Sequence, residues 1–265
     1  MSEQMTPEEE WRALLMGTHP HLQHRPYRFI PSSPRCKLCA APFRGPGGAL
    51  FRRYGFGPWE KNPTICGRCF KGLSVHVRAC PGAEEDERVG GAEVEVSLLF
   101  ADVRGSSELA RRLSTRDFTN LMQRFYAASR DVLVDGDAII EKFIGDEVAA
   151  LFLPFMTGPG HARRAVGYGS EEGPWVPIGV GVHTGVAFVG MVASGGVSDF
   201  TALGDSVNIA AHLASVAAAG EILVGTDAAA AAGLMDPANE RRHVSLKGHP
   251  LDVVVLRPQP AYTTT

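Results

Sequence analysis

The stretch from Ser97 to Glu147 constrains the fold most. Ser97-Leu98-Leu99-Phe100-Ala101 runs straight into Asp102, and Val103-Arg104-Gly105-Ser106-Ser107 follows. An apolar run that ends in a carboxylate, then Gly and two Ser, reads as a buried strand, a tight turn and a helix start. Backbone N–H groups at such a start, around Gly105 and Ser106, are free to hold an anion such as a phosphate. A second carboxylate stands in Lys142-Phe143-Ile144-Gly145-Asp146-Glu147. Gly-Asp between the apolar runs 138–144 and 148–153 predicts a two-residue hairpin with Asp146 at its tip. If that hairpin pairs beside the first strand, Asp102 and Asp146 share divalent metal. Hard cations that also bind phosphate take one or two carboxylates plus the substrate. Either aspartate alone reads as a cap or a turn residue; the two together favour metal.

A chain of 265 residues suggests one large or two modest domains. With 45% apolar residues, 21% charged residues and a net charge of -3, it has the composition of a soluble globular protein. No apolar run approaches the roughly 20 residues of a membrane helix. The polar, acidic residues 1–10 do not resemble a signal peptide, so a cytoplasmic protein is expected. Charge is uneven. Residues 1–80 carry 12 Lys/Arg against 5 Asp/Glu, and the remainder carries 14 against 24, which predicts two modules.

All five cysteines lie in the first 80 residues. Cys36-Lys37-Leu38-Cys39 and Cys66-Gly67-Arg68-Cys69 form two metal knuckles. Four thiolates suit tetrahedral zinc, and equally an iron–sulfur cluster; zinc is the favoured reading. The ion would supply folding energy that so small a module lacks. Cys80 is spare and reads as structural. The 26 residues between the knuckles read as a loop, with Phe43, Phe51, Tyr54, Phe56 and Trp59 interleaved with Arg44, Arg52, Arg53 and Lys61. That pattern suits single-stranded nucleic acid. Docking on the acidic remainder of the chain is preferred, so nucleic acid is not the expected partner. Upstream, residues 8–16 predict a short amphipathic helix. His19, His21 and His24, next to Pro20 and Pro26, read as solvated loop histidines. Residues 81–92 have linker composition.

From Glu93 onward the pattern is α+β. Strands are expected at 94–100, 138–144, 148–153, 222–224, 244–246 and 253–256. Helices are expected at 106–113, from Ser114-Thr115-Arg116-Asp117 (a capping-box signal) onward, at 161–168 and at 205–217. Residues 177–183 and 186–192 read as a hairpin across Thr184-Gly185. Lys142 is expected on one strand face with Ile140 and Ile144, where it suits either a purine acceptor or a snorkelling edge-strand lysine. Asn208 and His212, four apart on a helix, share a face that suits a phosphate or ribose. Lys247, before a Gly turn, suits a terminal phosphate and, read alone, equally a solvated turn lysine. His183, in a Gly-rich strand, reads as core.

These motifs resemble the catalytic domain of class III nucleotidyl cyclases. The matching segments are 99–106, Lys142 to Glu147, Gly179-Val180-Gly181-Val182-His183-Thr184-Gly185, and 200–211. The resemblance covers residues 93–257. It implies a ferredoxin-like (palm-type) α/β sandwich over residues 93–260, after a zinc-ribbon-like module at 1–80. It implies an adenylate cyclase that converts ATP to 3′,5′-cyclic AMP and pyrophosphate as a homodimer. Two Mg²⁺ or Mn²⁺ per site would sit on Asp102, Asp146 and the Val103 carbonyl. Lys142 and Thr201 would read the purine, Asn208 the ribose and Lys247 the terminal phosphates. Lys with Thr is similar to adenylate rather than guanylate cyclases. One departure stands out: His212 occupies the place of the family's Arg. A neutral imidazole offers one hydrogen bond where Arg offers a charged fork. A degenerate, nucleotide-binding cyclase is therefore the alternative, with a guanylate cyclase beside it.

Overall fold

The computed structural model describes residues 5–23, 25–76, 90–167, 176–194, 197–246 and 249–257. His24, Cys80 and Lys247, and most of the expected linker, lie outside the described residues.

In chain order the N-terminal part forms helices α1 (Pro7–Leu15), α2 (Pro20–Gln23), α3 (Gly45–Arg53) and α4 (Gly67–His76). Strand β1 (Gly90–Val103) follows, then α5 (Ser106–Arg112), α6 (Thr115–Asp135), β2 (Ile139–Ile144) and β3 (Glu147–Phe152). After α7 (Pro154–Thr157) and α8 (His161–Gly167) come β4 (Ile178–Ser194), β5 (Val197–Leu203) and α9 (Asp205–Val216). The chain closes with β6 (Ile222–Gly225), α10 (Thr226–Ala232), β7 (Glu240–Leu246) and β8 (His249–Leu256).

The eight strands form one sheet in the order β2-β3-β1-β4-β6-β8-β7, with β5 paired to β4. Its first half, β1-α6-β2-β3-α8-β4, has the connectivity and strand order of a ferredoxin-like unit. The fold is thus the expected α+β class. In the second half, β4 and β6 are parallel, joined through α9, and β6, β8 and β7 are antiparallel.

By packing the chain divides into two compact units. One comprises residues 1–94, 154–158 and 188–202; the other comprises 95–153, 159–187 and 203–265. The first unit centres on Cys36, Cys39, Ala41, Phe43, Ile65 and Cys66. In the second, α6 lays Met122, Phe125 and Leu133 onto Leu99, Ala101, Val148, Ala150 and Phe152. Ser114 caps α6, its Oγ accepting from the Asp117 N–H at 3.1 Å. The capping box stays half made. Asp117 reaches the Ser114 hydroxyl at 2.6 Å, because it is one methylene shorter than the Glu that would reach the backbone.

Four local expectations need correction. The hairpin across Thr184-Gly185 is instead one continuous strand, β4. Its glycines serve close packing rather than a turn. A Cβ at Gly181 would lie 2.3 Å from the Ala210 carbonyl oxygen, and one at Gly179 2.7 Å from that of Ala217. A Cβ at Gly185 would lie 2.5 Å from the Ser206 hydroxyl, so this glycine face lets α9 rest on β4. Gly90 and Gly91, read as linker, open β1, where a Cβ on Gly190 of β4 would meet the Gly90 carbonyl at 2.2 Å. The 26-residue loop between the knuckles contains helix α3. Pro20 starts helix α2 rather than extending a loop, and His19 is buried.

Candidate active site and four-thiolate cluster

Both carboxylates arise as the hairpin pattern demands. β2 and β3 join through Gly145-Asp146, with Gly145 at φ +58°, the left-handed conformation a two-residue hairpin requires. β3 pairs antiparallel with β1, placing Asp102 opposite Glu147. The Val103 N–H donates to the Asp146 carbonyl at 3.0 Å. Asp102, Val103 and Asp146 therefore come together across one strand pair, although 44 positions separate the two aspartates.

The surroundings of this pair were not visible in the sequence. Arg104 forms an ion pair with Asp102 and donates from Nη1 to the Ser215 carbonyl at 2.6 Å. The Ser106 hydroxyl donates to the Asp146 carboxylate, so Ser106 braces a carboxylate as it stands. The Tyr126 hydroxyl donates to the Gly145 carbonyl and fixes the hairpin tip. Burial, then the Asp146 charge, raises the Tyr126 pKa. Glu147 is likewise held above the usual carboxylate value, first by burial and then by the Asp146 charge. The site thus gathers the carboxylates of Asp102, Asp146 and Glu147 against the Arg104 guanidinium, with the Lys142 ammonium also acting on Glu147. Its oxygen donors are of the kind a hard divalent cation takes, so the residues present fit such an ion.

Gly105 takes φ +70° and begins α5 without a side-chain cap. Lys142 departs from expectation. A β-bulge between Ile140 and Lys142 pairs them with consecutive residues Ala150 and Ala149. The extra residue flips the strand face, so Ile140 stays buried while Ile144 is exposed. Glu141 turns inward, and Lys142, with 44% of its side chain exposed, pairs with it at 3.1 Å. Thr201 is half-buried in β5. Asn208 is exposed on α9. On the same helix, His212 Nε2 donates to the Ser245 carbonyl of β7 at 2.8 Å. Among the described residues, no hydrogen bond or ion pair joins Asn208 or His212 to the aspartates. His183 is buried in β4, and burial lowers its pKa.

A second cluster lies in the N-terminal part. The Sγ atoms of Cys36, Cys39, Cys66 and Cys69 all lie within 4.8 Å of one another. Cys36 and Cys69 sulfurs are 3.9 Å apart, Cys39 and Cys66 sulfurs 3.8 Å. Backbone N–H groups of Cys66 and Cys69 donate to the sulfurs of Cys36 and Cys66, each at 3.3 Å. Isolated β-bridges, Arg35 to Pro42 and Pro58 to Cys66, brace the two knuckles. The four expected ligands are together and can hold a metal ion.

Residues 91–257, well over half of the chain, match the family described as the adenylate and guanylate cyclase catalytic domain. The chain belongs to this family. Its cyclase domain is similar in fold to the guanylyl cyclase Cya2, with TM-score 0.59 and 23% identity, over 66% of this chain and 98% of that one. It is also similar to the adenylyl cyclase CyaB from P. aeruginosa, with TM-score 0.55 and 24% identity, over 64% and 97%. An uncharacterized protein of Mycobacterium tuberculosis is 28% identical over 68% of this chain and 35% of its own length. An adenylate cyclase of Anabaena cylindrica is 26% identical over 50% of this chain and 30% of its own. The chain thus spans about a third of the length of the curated relatives it matches. No helix among the described residues is long and apolar enough to cross a membrane.

Proposed function

We propose that the protein is an adenylate cyclase, forming 3′,5′-cyclic AMP and pyrophosphate from ATP at a homodimer interface. The observation that carries this reading is the meeting of Asp102, the Val103 backbone and Asp146 across β1 and the β2–β3 turn. These are the residues that would hold two Mg²⁺ or Mn²⁺ ions. Such ions, when bound, lower the pKa of the ribose 3′-hydroxyl and neutralise charge on the triphosphate. The 3′-oxygen attacks the α-phosphorus in line, and the bond to pyrophosphate breaks.

The chain's own part is positioning and electrostatics. Arg104 pairs with Asp102 and donates to the Ser215 carbonyl, and an ion held by Asp102 would compete with that pair. Ser106 and Tyr126 hold Asp146 and its turn in place. Lys142 and Thr201 read the adenine; the Lys142 side chain is 44% exposed, and meeting a purine acceptor would take its ammonium from Glu141. Asn208 orients the ribose, and Lys247 meets the terminal phosphates. Among the described residues no hydrogen bond or ion pair joins Asn208 or His212 to the aspartates, and we assign both to the site of the partner subunit. Exposed Phe143, Ile144, Val186 and Leu203 supply apolar surface for that dimer.

His212 takes the place of a charged clamp, and its anchorage on Ser245 ties α9 to β7. His212→Arg is expected to raise turnover about tenfold, a fraction of what a transition-state Arg contributes elsewhere. A fall in rate would show that His212 has a role of its own.

The four thiolates favour a single tetrahedral ion, which we assign as zinc. With Zn–S bonds of about 2.3 Å, the edge of the sulfur tetrahedron is about 3.8 Å. The 3.9 and 3.8 Å separations of the Cys36–Cys69 and Cys39–Cys66 sulfurs support that edge, in a cluster whose sulfurs all lie within 4.8 Å of one another. A four-iron cluster, with one thiolate per iron, needs a wider spread.

The test is product formation with ATP and GTP compared side by side, under Mn²⁺ and under Mg²⁺. Cyclic AMP in excess over cyclic GMP supports the reading. A protein that binds ATP yet makes no cyclic nucleotide with either metal would favour the nucleotide-binding alternative, which the His212 replacement suggests.

A further inference from the structure

The compact unit that holds the four thiolates also includes residues 188–202, and so the part of β5 that ends at Thr201 and Ala202. A short set of side chains connects them. Cys69 is followed in α4 by Phe70, and Cys66 is bridged to Pro58, which precedes Trp59. One sulfur ligand, Cys69, thus stands one backbone step from Phe70, and another, Cys66, stands one β-bridge and one step from Trp59. These rings stack face to face, with centroids 3.8 Å apart and planes at 12°. Phe200 closes the group edge-on, 5.3 Å from Phe70 at 88° and 6.2 Å from Trp59. Lys61, two residues beyond Trp59, grips the same strand. Its Nζ donates to the Phe200 carbonyl at 2.9 Å and pairs with Asp199 at 2.5 Å. Phe200 is buried, and its neighbour in the chain is Thr201.

We propose that the ion in the four-thiolate site holds β5 in place through Trp59, Phe70, Phe200 and Lys61, so that occupancy of this site regulates the cyclase. The consequence for catalysis rests on the reading of Thr201 as a purine contact and of the thiolates as a metal site. The physical route is direct. Without the ion, the two knuckles lose the bonds that join all four sulfurs, and what remains between them is the Lys37 N–H bond to the Thr64 carbonyl at 2.9 Å, the Cys66 N–H bond to the Cys36 sulfur and the packing of Ala41, Phe43 and Ile65. The Trp59–Phe70 stack then loses its fixed base, Phe200 loses its cover, and the strand carrying Thr201 loosens.

The experiment is hydrogen exchange on the full chain, with metal content measured on the same samples. Protein with one zinc per chain is compared with protein stripped by a chelator, and again after zinc is returned. Cys36→Ser supplies a metal-free form should the chelator fail. Amides of residues 199–203 are expected to exchange about tenfold faster in the stripped protein and to recover with zinc, while β6 stays unchanged. Equal exchange at 199–203 in both forms overturns the proposal, as does a chain that holds no metal at all. Phe200→Leu should keep its zinc, and its β5 exchange should no longer respond to metal; a response equal to wild type overturns the route. These readouts do not depend on turnover. A metal response in a protein that makes no cyclic nucleotide would sink the cyclase reading alone. Normal turnover with no metal response would sink the coupling alone.

Discussion

The two compact units are held together by different physics. In the second, Phe125, Phe152, Leu98, Ile139, Leu151, Leu213, Ile222 and Leu223 are almost fully buried, and helices cover a broad sheet. Burial of such side chains contributes roughly 1.5–3 kcal/mol each, so the sheet carries its own stability. In the first, three of the six buried residues at the centre of the N-terminal cluster are cysteines. Most of its aromatic rings, such as Tyr27, Phe51 and Trp59, are only partly buried around them. The second unit rests on broad apolar area, whereas the first adds to buried Trp11, Leu14, Leu15 and Phe200 a cysteine-centred cluster that can hold a metal ion. If the proposed ion is bound, the sheet unit should persist without metal while the order of the cysteine module follows it.

The largest break in that comparison is expected from Cys66→Ser. A structural zinc contributes on the order of 10 kcal/mol to folding of a small module. The variant should lose its metal and its protease resistance over residues 25–76, while the sheet keeps its melting transition. Joint collapse of both units would contradict the contrast. Phe125→Ala should do the opposite, lowering the melting temperature of the sheet unit by the equivalent of about 3–5 kcal/mol. The metal content of the four-thiolate cluster should stay as in wild type.

A smaller effect concerns Glu221, at the start of β6. It accepts from Arg242 at 3.0 and 2.9 Å and from Arg257 at 2.7 Å, and its carboxylate is nearly buried. The Arg242 hydrogen bonds, helped by the Ala218 N–H and Arg257, pull its pKa from 4.5 down to about 2. The folded state thus binds the Glu221 proton more weakly than the unfolded chain does. Its stabilisation is complete above pH 4.5 and is lost as pH falls toward 2. Glu221→Gln should cost on the order of 2 kcal/mol at neutral pH and flatten the acid limb of the melting profile. An unchanged acid limb would argue against the assignment. Smallest is Tyr126→Phe, which removes one hydroxyl bond to the Gly145 carbonyl and should cost about 1 kcal/mol in a thermal melt.

The sequence carried most of the scaffold because its signals are local. The run into Asp102, the Gly145-Asp146 turn and the two C-x-x-C knuckles each specify their own geometry, and the structure returned all three. Where two physical causes produce the same letters, the reading failed. Gly185 in β4 looks like a turn glycine, yet it makes room for Ser206 of α9, a partner that appears only on folding. The bulge at Glu141 inverts the face of Lys142, because the spacing of Ile140, Lys142 and Ile144 assumes an unbroken period of two. Arg104 and Tyr126 were missed because their roles depend on contacts across strands and helices, which no short motif encodes.

The most direct test of the central claim removes one carboxylate and asks whether chemistry is lost while the scaffold stays. Wild type and Asp146→Asn would be assayed for cyclic AMP with ATP and Mn²⁺, with Mn²⁺ affinity and thermal melts measured on the same preparations. A thousandfold loss of turnover or about that, together with weakened Mn²⁺ binding and matching melts, is the predicted result. Equal turnover in the two proteins would contradict it.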